Sequence, residues 1–331
     1  MMRSIPQVKV LSSLIAAHSL AELVATEYEL GAPVVGQLLR ASRSSVYLIT
    51  AGRQKYVARI YPASQRITES HCRFELEWSN YLKEKGLRVS YPIQRRDGDY
   101  LGHLHAPEGL RYYTLSSFAE GQAANPTSEE QSYRYGAGVA QIHLASNEYK
   151  SPFQRFSSDF EFLLDKPLQL IKNMPDRREE ELNFLVDLSD KLKKKVVDTL
   201  GYDEPPDSWH IIGGDYHASN VHFNEENEPI FFDFDLCSYG WRVYDIASFF
   251  LYTISAGLPP EIASSFLAGY QSVRPLSEAE LESLLPFVVI RQIYLLGSPL
   301  RLADFTGYLW FDERWWESNF KRIKELLEVK I

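Results

Sequence analysis

Residues Gly214-Asp215-Tyr216-His217-Ala218-Ser219-Asn220 set an Asp and an Asn five positions apart, with apolar, strand-like residues on both sides. A little further on, the apolar run Pro229-Ile230-Phe231-Phe232 ends in Asp233-Phe234-Asp235. These residue types in this order suit phosphoryl transfer. That reaction needs one carboxylate at the acceptor hydroxyl, to orient the nucleophile and take its proton. It also needs an amide oxygen and a second carboxylate to hold divalent ions against the nucleotide phosphates. An Asp-x4-Asn pair alone is common, and Asp-x-Asp at a strand end is only somewhat more telling. Joined by a short polar hairpin, Asn224 to Glu228, they are much more specific. The loop would present Asp215 and Asn220 to one point, and the strand end would bring Asp233 to it.

Other chemistries fit less well. The Asp-x-Asp of dehalogenase-like phosphatases needs a Thr two residues on, where this chain has Cys237, and an alternating strand–helix order that the helical tail lacks. A sugar-transfer Asp-x-Asp site has no further support. His71, His103 and His105 are scattered without metal-ligand spacing. Lys191, Lys193, Lys194 and Lys195 lie among acids and read as a solvated helix face. Trp310, Trp315 and Trp316 read as C-terminal packing. Arg291 sits inside an apolar helix, where it would either meet a substrate carboxylate or pair with a buried acid.

The elements that must position these residues follow from periodicity. Ile5–Ala25 has helical spacing, and Gly36–Ile49 switches to apolar alternation. Lys55–Tyr61 is a strand joined to it by the turn Ala51-Gly52-Arg53-Gln54. Thr68–Lys85 reads as a helix capped by Gly86, and strands follow around Asp99–His103 and Arg111–Phe118. After Ala119-Glu120-Gly121-Gln122 the chain is mostly helical: Glu129–Ser146, Glu179–Thr199, Pro260–Tyr270, Ser277–Ile293 and Glu313–Val329. Short strands at His210–Gly213, Val221–Phe223 and Pro229–Asp233 interrupt it.

Composition limits the alternatives. The 331 residues carry 44 acids against 35 bases, a formal charge of −9, which disfavours a general nucleic-acid binder. Two cysteines, Cys72 and Cys237, exclude a disulfide framework and fit a reducing cytoplasm. The apolar stretches near Ile246–Leu258 and Leu281–Leu300 are short or broken and read as buried helices rather than bilayer spans. Met1–Ile15 lacks the apolar core of a signal peptide.

The run Gly213-Gly214-Asp215-Tyr216-His217-Ala218-Ser219-Asn220, then Phe232-Asp233-Phe234-Asp235, then Tyr244-Asp245-Ile246-Ala247, resembles the aminoglycoside phosphotransferase and choline kinase superfamily. Its members read His-Gly-Asp-Leu-His-x-Gly-Asn, Ile-Asp-Phe-Asp and Tyr-Asp-Leu-Ala at these points. The resemblance covers roughly residues 30 to 325. It is strongest to the bacterial stress-response kinases and type II homoserine kinases, through Phe74-Glu75-Leu76-Glu77, Tyr91-Pro92-Ile93, Asp97-Gly98 and Tyr135–His143. It implies an α+β, bilobal protein-kinase-like fold. A small mixed β-sheet N-lobe would span 1–120 and a mainly helical C-lobe 121–331. It implies Asp215 as catalytic base, Asn220 and Asp233 as Mg2+ ligands, Asp235 as a secondary metal or structural carboxylate, and Asp245 as a buried anchor of the catalytic loop. On the nucleotide side it implies Ser42 and Ser44 in a phosphate-covering hairpin that also holds Arg43. Arg59 would be the phosphate cation, paired with Glu75 or, less favourably, Glu77. Ser117 and Phe118 would lie in the hinge that meets adenine.

Two departures stand out. Arg59 replaces the family's Lys, and a planar guanidinium is no simple substitute for an ammonium. Gly213 replaces the His before the catalytic Asp, a loss that His210 or His217 would cover. The expectation is a cytoplasmic kinase, monomer or homodimer, using ATP and Mg2+ on a small-molecule hydroxyl, without nucleic-acid or membrane partners. Asp159, Glu161 and Asp165 would suit a cationic acceptor. A stress-response-type Ser/Thr protein kinase and a catalytically weak nucleotide-binding module are the alternatives.

Overall fold

A computed structural model of the chain describes residues 8, 10–42, 44–63, 67–175, 178–201, 207–303, 307, 308 and 310–329. The chain divides into two units. The first comprises Met1–Glu84, Val89–Ala119 and Ser151–Gln154; the second comprises Lys85–Arg88, Glu120–Lys150 and Arg155–Ile331.

The first unit is a five-stranded antiparallel sheet with two helices. Its strands are β1 (Val34–Ala41), β2 (Ser45–Ala51), β3 (Gln54–Ile60), β4 (Gly102–Ala106) and β5 (Gly109–Ser117), in the order β1-β2-β3-β5-β4. Along β2 every second residue is buried, from Ser45 through Tyr47 and Ile49 to Ala51, the period a strand with one core face must have. Helix α1 (Ala17–Glu27) supplies Leu20 and Val24 to the same core, beside Tyr28, Ala58, Ile60, Tyr113 and Leu115. Gly36 allows β1 to approach it, because a Cβ there would lie 2.5 Å from the Ala17 carbonyl oxygen. Helix α2 (Glu69–Glu84) buries Cys72 and Leu76 against Tyr61 and Leu101.

Two expectations shift here. The helix expected over Ile5–Ala25 begins only at Ala17. Residues 10–16 are not helical, and the Ser13 backbone instead bonds Glu108 and Arg111; Ile5–Gln7 lie outside the described residues. The strand expected at Asp99 begins at Gly102. The Asp99 carboxylate accepts the N–H groups of Tyr100 and Leu101, which turns the chain before pairing starts.

The second unit is mainly helical: α3 (Glu129–Ser146), α4 (Lys166–Lys172), α5 (Glu179–Leu200), α6 (Arg242–Ser255), α7 (Pro260–Val273), α8 (Glu278–Gly297) and α9 (Glu313–Glu328). Its short strands are β6 (Gln122–Ala123), β7 (Ser157–Ser158), β8 (Trp209–Ile212), β9 (Val221–Phe223), β10 (Pro229–Phe231) and β11 (Ser238–Trp241). They form two three-stranded sheets, β10-β9-β6 and β7-β11-β8. Helices α3 and α7 touch backbone to backbone through reciprocal glycines. A Cβ on Gly136 would lie 1.9 Å from the Phe266 carbonyl oxygen, and one on Gly269 1.9 Å from that of Tyr133. Helix α8 starts at a capping box: Ser277 Oγ accepts the Glu280 N–H while the Glu280 carboxylate accepts the Ser277 N–H. It is apolar and long enough to cross a membrane, yet most of its apolar stretch is buried inside the unit, as expected of a core helix. The sheet unit and the helical unit together bear out the expected fold class.

Candidate active site

The loop after β8 is held from below by a buried carboxylate. Asp245, in the first turn of α6, has no solvent exposure. Its Oδ2 accepts the Gly213 N–H at 2.8 Å and its Oδ1 accepts the Gly214 N–H at 2.8 Å. The helix N-terminus favours the negative charge. His143 Nε2, from α3, donates to Asp245 Oδ2 at 2.9 Å, and its Nδ1 accepts from the Tyr270 hydroxyl at 2.8 Å. Burial pushes the His143 imidazole below its usual range, against the pull of Asp245.

Asp245 is therefore the anchor that the sequence suggested, and the histidine that braces it from outside the loop is His143, whose signal was a lone imidazole near the end of a helix. Of the two histidines the sequence offered, His217 does brace the loop: its Nδ1 accepts the Ser219 N–H at 3.2 Å and caps the short turn that follows. His210 Nδ1 is buried without a hydrogen-bond partner. Gly213 has a steric reason: a Cβ there would lie 2.5 Å from the Tyr216 ring. The two departures from His-Gly-Asp-Leu, Gly213 and Tyr216, thus compensate in volume. Gly214 has φ +81°, and a Cβ would lie 2.4 Å from the Leu236 carbonyl oxygen, so the residue before Asp215 must be glycine.

Asp215 is three-quarters buried. Its Oδ1 is paired with Arg291 Nη2, and its Oδ2 lies 3.6 Å from His217 Nε2. Arg291 Nη1 also donates to the Gly214 carbonyl at 3.0 Å and to the Tyr244 hydroxyl at 2.9 Å. Of the two roles open to Arg291, the pairing with an acid is the one observed. Burial works to raise the Asp215 carboxyl, but Arg291 and then His217 outweigh it and lower it to about 2. It is a carboxylate across the physiological range.

Asn220 closes a single helical turn (Ala218–Asn220). Its Nδ2 donates to the Asp215 carbonyl at 2.9 Å, and its own carbonyl accepts the Phe232 N–H at 3.1 Å. The antiparallel pairing of β9 with β10 thus ties Asn220 to the residue preceding Asp233. Asp233 has φ 66°, a left-handed conformation that Asp tolerates better than most residues and that redirects the chain at the strand end. Asp235 is exposed, and the carbonyls of Asp235 and Cys237 both accept from the Arg155 guanidinium. Among the described residues, no three His, Cys, Asp or Glu side chains gather as a metal cluster.

In the first unit, Arg59 Nη1 lies 3.2 Å from Glu75 Oε1, with side-chain exposures of 13% and 10%. The pairing falls on Glu75, and burial raises the carboxyl of Glu77. The Ser42 N–H and hydroxyl both donate to the Ser44 carbonyl, closing the turn between β1 and β2; Arg43 lies outside the described residues. The Ser117 N–H donates to the Tyr91 carbonyl and its carbonyl accepts from Ser90 Oγ. Lys55 Nζ lies 5.4 Å from the Phe118 ring centroid. The acids proposed for a cationic acceptor are engaged nearby: Asp159 caps the Phe162 N–H, Glu161 pairs with Lys166, and Asp165 pairs with Lys193. Lys194 and Lys195 pair with Asp198 and Glu282, the solvated face expected of that cluster. Trp316 is buried as packing, whereas Trp310 is 74% exposed.

The sequence model described as the phosphotransferase enzyme family matches residues 36–284. An uncharacterized protein of Synechocystis sp. is 34% identical over 320 residues, covering 96% of this chain and 86% of that protein. A homoserine kinase of Rhizobium rhizogenes is 25% identical over 264 residues, covering 78% of each. A solved amicoumacin kinase, in complex with AMP-PNP, Ca2+ and Ami, superposes with TM-score 0.76 at 19% identity, covering 93% of this chain and 92% of that one.

Proposed function

The chain belongs to the phosphotransferase enzyme family, and on that premise we propose that it transfers the γ-phosphoryl group of ATP, with Mg2+, to a hydroxyl of a small-molecule acceptor. The observation that carries this reading is the hydrogen-bonded chain from Asp215 through Asn220 to Phe232, beside Asp233. It links the base to both proposed metal ligands across two loops.

In this reaction the acceptor oxygen forms a bond to the γ-phosphorus as the bond to the β,γ-bridging oxygen breaks. ADP and a phosphate monoester are the products. The acceptor proton passes to Asp215 and then to solvent. A carboxylate held near pKa 2 is a weak base, but phosphoryl transfer through a loose transition state needs it chiefly to orient the hydroxyl. Asn220 Nδ2 is committed to the Asp215 carbonyl, which turns Oδ1 of the same amide the other way. That oxygen with Asp233 and Asp235 would make a set of hard oxygen donors containing two carboxylates. Such a set fits Mg2+, which takes one or two carboxylates and completes its shell with water and substrate phosphates. When bound, the ion would neutralise phosphate charge. Arg59, oriented by Glu75, is the proposed phosphate cation. The Ser42–Ser44 turn is the proposed phosphate cover, and Phe118 the proposed neighbour of adenine.

For the acceptor, a hydroxyl-bearing amine is in keeping with the homoserine kinase and amicoumacin kinase to which the chain is similar. Asp159, Glu161 and Asp165, offered for a cationic acceptor, have local partners in the Phe162 N–H, Lys166 and Lys193. The test offers Mg·ATP with homoserine, amino alcohols and aminoglycosides and follows ADP release. One acceptor should stand well above the rate with water, and Asp215→Asn should lower that turnover by about 10²–10⁴-fold. If no acceptor raises ADP release and Mg·ATP does not raise the melting temperature, the proposal fails.

A further inference from the structure

We infer that Arg291 is the positioning residue of this site: it holds Asp215 by Oδ1, so that Oδ2, on the His217 side, is the oxygen presented to the acceptor hydroxyl. This rests on the proposed role of Asp215. Arg291 is 5% exposed and projects from α8, seventy-six positions away in the chain. Its guanidinium donates in three directions: to the Asp215 carboxylate, to the carbonyl of the adjoining Gly214, and to the Tyr244 hydroxyl of α6. The rings of Tyr244 and Tyr294 complete its surroundings, each with its centroid 5.5 Å from the guanidinium carbon.

Because a buried cation left without its carboxylate is strongly disfavoured, the pair is held shut in the resting protein. The planar fork bonds a side-chain oxygen and a main-chain oxygen of consecutive residues, which fixes both the side-chain torsion of Asp215 and the height of its loop. An ammonium on a flexible stem cannot make both contacts in that geometry. The other groups acting on Asp215 are His217 on its own loop and the hydroxyls of Tyr135 on α3 and Tyr244 on α6. None of them bonds Oδ1 among the described contacts. Arg291 touches none of the proposed metal ligands in those contacts either, so its effect on the reaction runs through Asp215.

The test compares wild type, Arg291→Lys and Arg291→Met. Mg·AMP-PNP affinity by calorimetry should stay within about threefold of wild type. The kcat for ADP formation should fall about 10²-fold in Arg291→Met, the loss expected of a misplaced reacting group. Arg291→Lys should recover part of it. Crystal structures of both variants should show the Asp215 carboxylate rotated or displaced. Wild-type kcat in Arg291→Met, or an Asp215 carboxylate unmoved in both variants, overturns the inference. So does a kcat loss matched by an equal loss of AMP-PNP binding, which would mark a general structural role. If Arg291→Met does not fold, Arg291→Lys decides by the same readouts. If the wild type phosphorylates no acceptor, the functional proposal has failed, and the carboxylate position in the variants still decides whether Arg291 sets it.

Discussion

Asp245→Asn isolates what the buried anchor does for the catalytic loop. The carboxylate receives three donors: the N–H groups of Gly213 and Gly214 and the imidazole N–H of His143, at 2.8, 2.8 and 2.9 Å. Oδ2 serves Gly213 and His143, and Oδ1 serves Gly214. An amide keeps the shape but has one acceptor end. With its oxygen in the Oδ2 place, the NH2 group faces the Gly214 N–H, donor against donor. In the other orientation two donors lose their partner. Each buried donor left unsatisfied costs about 1–3 kcal/mol, and the surviving bonds weaken with the loss of charge assistance. Asp245→Asn should therefore destabilise the chain by about 2–4 kcal/mol, and Asp245→Ala by somewhat more. That is a large fraction of a typical stability of about 5–15 kcal/mol. The assay is urea unfolding followed by tryptophan fluorescence, paired with ADP formation by the fraction that remains folded. The anchor reading requires a lower midpoint together with a lower kcat, and little change in the KM for ATP. A midpoint shift worth under about 0.5 kcal/mol with a collapse of kcat would refute it, because the carboxylate would then be acting in the chemistry rather than beneath it.

Three further outcomes are expected. Gly213→Ala puts a methyl 2.5 Å from the buried Tyr216 ring and should cost about 1–3 kcal/mol in equilibrium unfolding. The same substitution made in a Tyr216→Leu background should cost under about 0.5 kcal/mol, and equal costs in the two backgrounds would disprove the steric pairing. His143 and His210 both have imidazoles lowered below 6.5, burial being the first cause in each. The unfolded chain therefore takes up protons before the folded one as pH falls through that value. Stability should then drop between pH 7.5 and 5.5 by up to about 1.4 kcal/mol per pH unit per histidine, as read by urea midpoints; a flat profile would contradict it. Arg59→Ala strands Glu75 in its part-buried site and should destabilise by about 3 kcal/mol, whereas Arg59→Met with Glu75→Leu should recover most of that loss. Both variants should lose ATP affinity in calorimetry, and an unchanged affinity would remove Arg59 from the nucleotide site.

Much of this was legible along the chain. Apolar alternation located β2, strand-forming residues located β3, the helical stretches expected at Glu129–Ser146, Glu179–Thr199 and Ser277–Ile293 match α3, α5 and α8, and the motifs around Asp215, Asn220 and Asp233 pointed to the family to which the chain belongs. Local signals also had local failures. Asp99 turned the chain with its own carboxylate and delayed β4, and residues 10–16 form a non-helical segment in which the Ser13 backbone bonds Glu108 and Arg111. What determines these features acts over a few residues, through torsional preference, side-chain period and nearby hydrogen bonds.

The supporting shell of the site obeys a different rule. His143 reaches Asp245 across 102 positions, Arg291 reaches Asp215 across 76, and Arg155 reaches the Asp235 carbonyl across 80. A lone His in an apolar helix and a lone Arg in α8 each announce only that a buried polar group needs a partner. Which partner it receives depends on how α3, α6, α7 and α8 pack, down to the glycines that let α3 and α7 touch. The order of Asp215, Asn220 and Asp233 along two short neighbouring loops was readable from the chain alone, because that spacing is covalent. The tertiary structure alone decided what holds them, because burial makes an unpaired charge or donor costly and only packing brings its distant partner within reach.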